Sequence, residues 1–193
     1  MLASITPLGE RSRRQSWHVT VTSLALAAGA AGAAGGAALA AVGSLLPLSG
    51  RTRLEVVLLV AAAAVALELR PFGLAVRSSH RQVDETWLHR YRGWVYGAGF
   101  GAQLGIGVAT IVVTPAVYVA LVAELLAPSV TAGAAIGAAF GLGRGVSAFA
   151  AARVTSPSQL ARFHGRFERA ERPAHAAAIA AQAVVLVVGL VAL

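Results

Sequence analysis

Five apolar stretches, separated by clusters of arginine, limit what this chain can fold into. They cover residues 18–46, 54–69, 94–126, 130–151 and 174–193. A helix needs about 20 residues to cross the hydrocarbon core of a bilayer. The second and fifth stretches suit one crossing each, and the fourth is comfortable. The first and third exceed a straight crossing. The third, at 33 residues, would reach about 50 Å at a rise of about 1.5 Å per residue. It is expected to tilt, or to break at Thr114-Pro115, where the ring removes a helix hydrogen bond.

Composition removes the alternatives. Of 193 residues, 57% are hydrophobic and 12% charged, whereas an ordinary soluble domain carries about 25% charged residues. The mean hydropathy is +0.71. A soluble globular enzyme, a disordered chain and a coiled coil are thereby excluded. The absence of cysteine excludes disulfides, thiolate metal sites and thiol redox chemistry. The formal charge is +8 and all 16 basic residues are arginine. They stand between apolar runs, so they read as topology determinants facing anionic lipid rather than as a nucleic-acid surface. The Ala, Gly and Arg bias without lysine suits a GC-rich bacterial genome, hence a bacterial cytoplasmic membrane.

Arginine placement sets an expected topology. Arg11, Arg13 and Arg14 precede the first stretch. Arg70, Arg77, Arg81, Arg90 and Arg92 follow the second, and Arg153, Arg162, Arg166, Arg169 and Arg172 follow the fourth. Those thirteen fall on one side, only Arg51 and Arg53 on the other, and Arg144 lies inside a span. The positive-inside rule then puts the N-terminus in the cytoplasm, and five crossings put the C-terminus outside. Residues 1–17 form a basic cytoplasmic N-terminus and 18–193 a single transmembrane domain. Ser12-Arg13-Arg14 resembles a twin-arginine export signal. The apolar run after it is about twice the 7–15 residues of a signal core, so a retained first helix is expected.

The chain also echoes itself. Arg14 and Trp17, then Arg92 and Trp94, each open a unit with a long Gly/Ala-rich helix, an outer proline (Pro47, Pro128) and a second helix. Internal repeats are common in transporters, although apolar sequence produces such echoes cheaply. Between the spans, Val83, Trp87, Leu88 and Tyr91 fall near helical spacing. Ser156-Pro157 offers an N-cap and first-turn pair ahead of Leu160, Phe163 and Phe167. Both segments are expected as short amphipathic helices at the cytoplasmic interface. They serve either as anchors or as docking surfaces for a protein partner or anionic lipid.

Glycines recur every four residues at Gly97, Gly101 and Gly105, and at Gly133, Gly137, Gly141 and Gly145, with a shorter pair at Gly32 and Gly36. This spacing puts small residues on one helix face and lets two backbones approach. The expected use is packing of the third and fourth spans against each other. A sliding surface and a homo-oligomer contact remain alternatives.

Charges inside a membrane cost about 2.5–3.5 kcal/mol at the centre of a span, so each needs a reason. Arg144 and Glu68 both fall in the inner half of their spans and are candidates to pair in a polar pathway. Snorkelling is the plainer account. Glu124 lies near the outer end of the third span, and Glu55 suits a local pair with Arg51. Gln103, Thr110 and Thr114 share a stripe of the third span. With Pro115 they could line a cavity, or the hydroxyls could bond back to their own helix. His80 with Asp84, or Glu85 with His89, makes at most two ligands, so no metal is expected. Ser147 has no histidine at its depth, and no phosphate-cradling loop occurs. No cofactor and no enzymatic activity are expected.

The stretch GAGFGAQLGIGVATIVVTPAVYVALVAELLAPSVTAGAAIGAAFGLGRG, Gly97 to Gly145, resembles the second half of the CcdA/DsbD membrane domain. That family has a glycine-rich long helix, a Thr-Pro break, a second span and a glycine-rich end. Its redox cysteine follows the Thr-Pro, and here Ala116 stands there. The family also has six spans where five are counted here. The resemblance implies a helix-breaking exporter-type fold without electron transfer, with Thr114 and Pro115 as helix break and cavity wall.

The expected fold is therefore an all-α polytopic membrane bundle of about five helices, with a proline-broken third. The leading expected function is transporter-like, moving a small solute near Thr114-Pro115 with Arg144 and Glu68 as polar contacts. The rival is a non-catalytic membrane subunit or scaffold.

Overall fold

The structure is a computed structural model and describes residues 5–69, 86–107 and 114–191. The described residues form helices, turns and connecting segments, with no strand among them. In chain order the α-helices are α1 (Pro7–Ser12), α2 (Trp17–Gly43), α3 (Gly50–Glu68), α4 (Trp87–Arg90), α5 (Gly93–Gly105), α6 (Ala116–Leu125), α7 (Val130–Val146), α8 (Pro157–Arg169) and α9 (Glu171–Val191). A 3-10 turn over Ser147–Ala151 extends α7. Among the described residues, three segments are long and apolar enough to cross a membrane: Trp17–Gly43, Val130–Ala151 and Pro173–Val191. The chain is thus compatible with an integral membrane protein.

Local chemistry sets the helix starts. Thr6 caps α1 by accepting from the Gly9 amide at 3.1 Å, with Pro7 as the first helical residue. Ser49 caps α3 through the Thr52 amide, and Ser129 caps α7 through the Ala132 amide, both at 3.1 Å. Before α8, the Gln159 side chain accepts from the Thr155 and Ser156 amides at 2.7 and 3.1 Å. Ser156 in turn accepts from the Gln159 amide at 3.4 Å, a reciprocal capping box.

α2 is the axis of the bundle, with α5 on one flank and α7 on the other. A Cβ added at Gly101 would strike the carbonyl oxygen of Leu24, and one at Gly105 that of Ala28. This register, with one at Gly97 meeting the Thr20 carbonyl, runs α5 parallel to α2. On the other flank, added Cβ atoms at Gly137 and Gly141 would strike the carbonyls of Gly32 and Ala28. One at Gly145 would meet Ala25 Cα at 2.8 Å, so α7 runs antiparallel. The glycine ladders of the third and fourth spans therefore lie chiefly on α2, not chiefly on each other. The reason is α2's own small residues at Ala25, Ala28, Gly32, Gly36 and Ala40, which offer backbone on two sides. Ala28 lies beneath both Gly105 and Gly141, where the three helices meet.

The third span differs from expectation. α5 ends at Gly105, well before Thr114, and Gly107 takes φ of 78°. That left-handed conformation suits glycine and terminates helices. Where the description resumes, Thr114 is half-buried and Pro115 is the N-cap of α6. α6 carries on in the direction of α5, since Leu125 lies at Gly43, the far end of α2.

The halves of the sequence echo do not pack alike. α6 and α7 are neighbours, but α3 makes its main contacts with α9 and α6. Ala61, Ala64 and Val119 form that contact, with Val60 and Leu186 beside them. Leu58 lies at Gly189 and Glu68 at His175, so α3 and α9 are antiparallel.

Candidate functional site

Polar side chains concentrate at three places. The first lies where α5 stops. Arg144, half-buried in the last turn of α7, donates from Nη1 to the Leu104 carbonyl at 2.7 Å and, at 3.5 Å, to that of Gly107. Its guanidinium also stands over the Phe140 ring, 5.4 Å from the centroid. The last carbonyls of a helix lack partners within it and carry its negative dipole end. Arg144 supplies both a donor and a positive charge there. Gln103 is half-buried on the last turn of α5, and Thr114 and Pro115 open the far side of the gap. Thr110 lies outside the described residues.

The same device closes the C-terminal end of α2. Arg53 donates to the carbonyls of Gly43, Leu46 and Leu48 at 2.9, 3.0 and 3.2 Å. Its neighbour Arg51 pairs with Glu55 at 3.1 Å, the local pair that the spacing implies.

The second place is the C-terminal end of α3. Glu68 meets His175 of α9, with His175 Nδ1 at 2.9 Å from Glu68 Oε2. The other ring nitrogen lies 3.0 Å from the Glu68 carbonyl. Glu68 and Arg144 are thus not brought together: one is engaged by α9, the other by the end of α5. On α9, the Gln182 amide donates to the Ala178 carbonyl at 3.3 Å, and the side chain is buried against α3.

The third place is the base of the bundle, which the sequence reading passed over. Glu10 of α1 is fully buried. Its carboxylate accepts from the Thr20 hydroxyl at 2.8 Å, from the Tyr96 hydroxyl, and from Arg13 at 2.5 Å. Burial alone lowers the Arg13 pKa, but its hydrogen bonds to Glu10 and Tyr96 and their charge outweigh this and hold it above the ordinary arginine value. Around this group, the Leu8 amide donates to the Val154 carbonyl at 3.0 Å. The Gly93 amide donates to the Gln15 side chain at 3.0 Å. Ile5, Trp17, Val21, Leu24, Tyr96 and Phe100 pack beside it. Residues 5–17 are built into the bundle and carry Arg11, Arg13 and Arg14 to the end where Arg90, Arg92 and Arg153 also lie. Thr6-Pro7 with an acid three residues on is the sequence signal for such a helix start.

Among the described residues, no group of three or more His, Cys, Asp or Glu is placed to hold a metal ion. His80, Asp84 and Glu85 lie outside them. No family model, curated protein or solved structure matches this chain.

Proposed function

We propose that the chain is a transporter-like integral membrane protein of five passes, binding a small solute where its third pass is interrupted between α5 and α6. The observation that carries this reading is Arg144 on the terminal carbonyls of a helix that ends inside the bundle. Interrupted helices at membrane depth are tolerated where backbone is buried in protein or lines a water-filled cavity, and they commonly build transporter binding sites. Gln103, Thr114 and Pro115 border the interruption. The positive charge of Arg144 at this interruption would attract an anionic or polar solute. On this reading Glu68 belongs to a separate contact, and the resemblance to CcdA/DsbD enters only through Thr114-Pro115 at the start of α6.

Two features support five passes. The helices alternate in direction through α2, α3, α5–α6, α7 and α9. The described arginines of the N-terminus and of the loops after the second and fourth spans gather at one end, and Arg51 and Arg53 sit at the other. That basic end is assigned to the cytoplasm of a bacterial cell. α8, with Arg162, Arg166 and Arg169 around Leu160 and Phe163, would lie on the anionic lipid surface. No chemical reaction is assigned to the protein.

The natural absence of cysteine makes the test direct. Single cysteines at Gln103, Thr114 and Arg144 are challenged from each side with a membrane-impermeant thiol reagent. Exposed, apolar-flank positions Ala135 and Ala139 serve as controls. Reaction at the first set but not at the controls is expected. If none of the first set reacts from either side, the interruption is dry and the transporter reading fails.

A second reading is a membrane subunit or homo-oligomer. It is favoured by α9, which exposes Val184, Val185, Val187, Val188, Leu190 and Val191. Quantitative cross-linking between single cysteines on α9, in the membrane, would favour it over a lipid-facing helix.

A further inference from the structure

The contact between α3 and α9 holds a proton-counting problem. His175 presents one ring nitrogen to Glu68 Oε2 at 2.9 Å and the other to the Glu68 carbonyl at 3.0 Å. Both of those oxygens are acceptors when the carboxyl is ionised. A neutral imidazole carries one N–H, so it can satisfy only one of them. The other contact would then set lone pair against lone pair in a buried place. Two arrangements satisfy both contacts. In one, the ring is an imidazolium donating to both oxygens. In the other, a neutral ring donates from Nε2 to the carbonyl, and a protonated Glu68 carboxyl donates from Oε2 to Nδ1. Each holds one proton more than ionised Glu68 beside neutral His175.

The surroundings point the same way. Glu68 is 4% and Gln182 3% exposed, and among the described residues Glu68 Oε1 and Gln182 Oε1 have no hydrogen-bond partner. An ionised carboxylate with one buried oxygen lacking a donor is costly, which favours an additional proton on the pair. The Glu68 side chain is 2% exposed whereas that of His175 is 37% exposed, so the ring is the link to water. Gln182 lies two helical turns farther along α9, on the same face, and continues the line of acceptors toward the middle of the contact.

We infer that Glu68 and His175 form a proton-binding site between α3 and α9, loaded from the aqueous phase at the basic end. The geometry described is that of the loaded site. Loading takes one proton from water and unloading returns it to water, with no other reactant. The remaining titratable or charged groups on the packed elements are Arg51, Arg53 and Glu55 at the far end of α3 and Tyr118 and Glu124 on α6. Arg162, His164, Arg166, Glu168 and Arg169 lie on α8, and Glu171 and Arg172 open α9. The hydrogen bonds described for the pair are its own. The inference is independent of any solute at Arg144.

The test uses the full chain in lipid nanodiscs near neutral pH. Ring nitrogens are labelled with 15N and glutamate carboxyls with 13C. Nitrogen NMR reports which ring nitrogens of His175 carry protons, and isotope-edited infrared spectroscopy reports whether Glu68 is protonated. The expected result is either a doubly protonated ring with ionised Glu68, or a singly protonated ring with a protonated carboxyl. A ring with one bare nitrogen beside an ionised Glu68 overturns the inference. In Glu68→Gln the additional proton is expected to be lost, leaving one N–H on His175. A doubly protonated ring persisting in that variant also overturns it. The wild-type measurement stands even if the variant does not fold.

Discussion

Where α2 meets α5 and α7, backbone lies on backbone; where α3 meets α9, side chains lie between. In the first region the contact atoms are carbonyl oxygens of Leu24, Ala28 and Gly32 facing glycines. A carbonyl in a helix cannot step aside without breaking its own ladder, so that region admits one arrangement. In the second region Gly189 faces the end of the Leu58 side chain, which can change rotamer. Among the described residues, Glu68 and Gln182 there each keep one side-chain oxygen without a partner. In the hydrocarbon of a membrane there is little hydrophobic drive between helices, so close van der Waals packing decides which contacts are rigid. Tight and loose parts of this bundle therefore follow from which residues are small, not from which are apolar.

One substitution type made in both regions would break the comparison most sharply. Gly137→Ala drives a methyl group into the Gly32 carbonyl, and the expected loss is about 3 kcal/mol or more, the upper end for overpacking. Thermal unfolding in a single detergent would read it as a large fall in melting temperature or as loss of folded protein. A wild-type-like melt would mean that α2 and α7 are not in contact as described.

Glu10→Ala comes next. It leaves Arg13, Thr20 and Tyr96 facing a buried gap, at an expected cost of about 2–3 kcal/mol. The distinguishing readout is limited proteolysis. The N-terminal segment should become cleavable before the rest of the bundle loosens.

Arg144→Met removes the charged donor from the Leu104 carbonyl, and about 2 kcal/mol should be lost, as for hydrogen bonds to charged groups. Arg144→Lys should recover part of it if the charge at the helix end matters. Equal losses in both would assign the effect to the planar guanidinium. Gly189→Ala is the small end of the series, expected below about 1 kcal/mol because Leu58 can yield. A loss at Gly189 as large as that at Gly137 would erase the distinction between the two regions.

The positions of α2, α3, α7 and α9 could be read from the sequence within a few residues. Apolar length and local caps such as Ser49, Ser129 and Ser156-Pro157 decide them, and both are local properties. The glycine faces were legible for the same reason, but their partner was not. Four-residue spacing says that something approaches closely, and only the tertiary arrangement makes it α2. The end of α5 at Gly105 is not legible in the same way. Proline is a visible helix breaker, whereas a stop at Gly105 depends on Gly107 and on Arg144, which lies in a different helix. Glu68 was noticed as a charge in an apolar setting. Its partner His175 was not, because a histidine at a helix start carries no mark of the distant residue it will meet. Glu10 was hidden by its neighbours, since the arginines around it make the segment read as a solvated tail.

The burial of Glu10 also orders events during biosynthesis. α1 is translated before its partners, and Tyr96 and Val154 follow much later. Until they arrive, α1 has nowhere to bury its carboxylate and stays undocked. Only after the segment following α7 has been made can Leu8 and Glu10 take their places. A segment made early is thus fastened late, and its docking reports that the chain from α2 to the turn after α7 is in place.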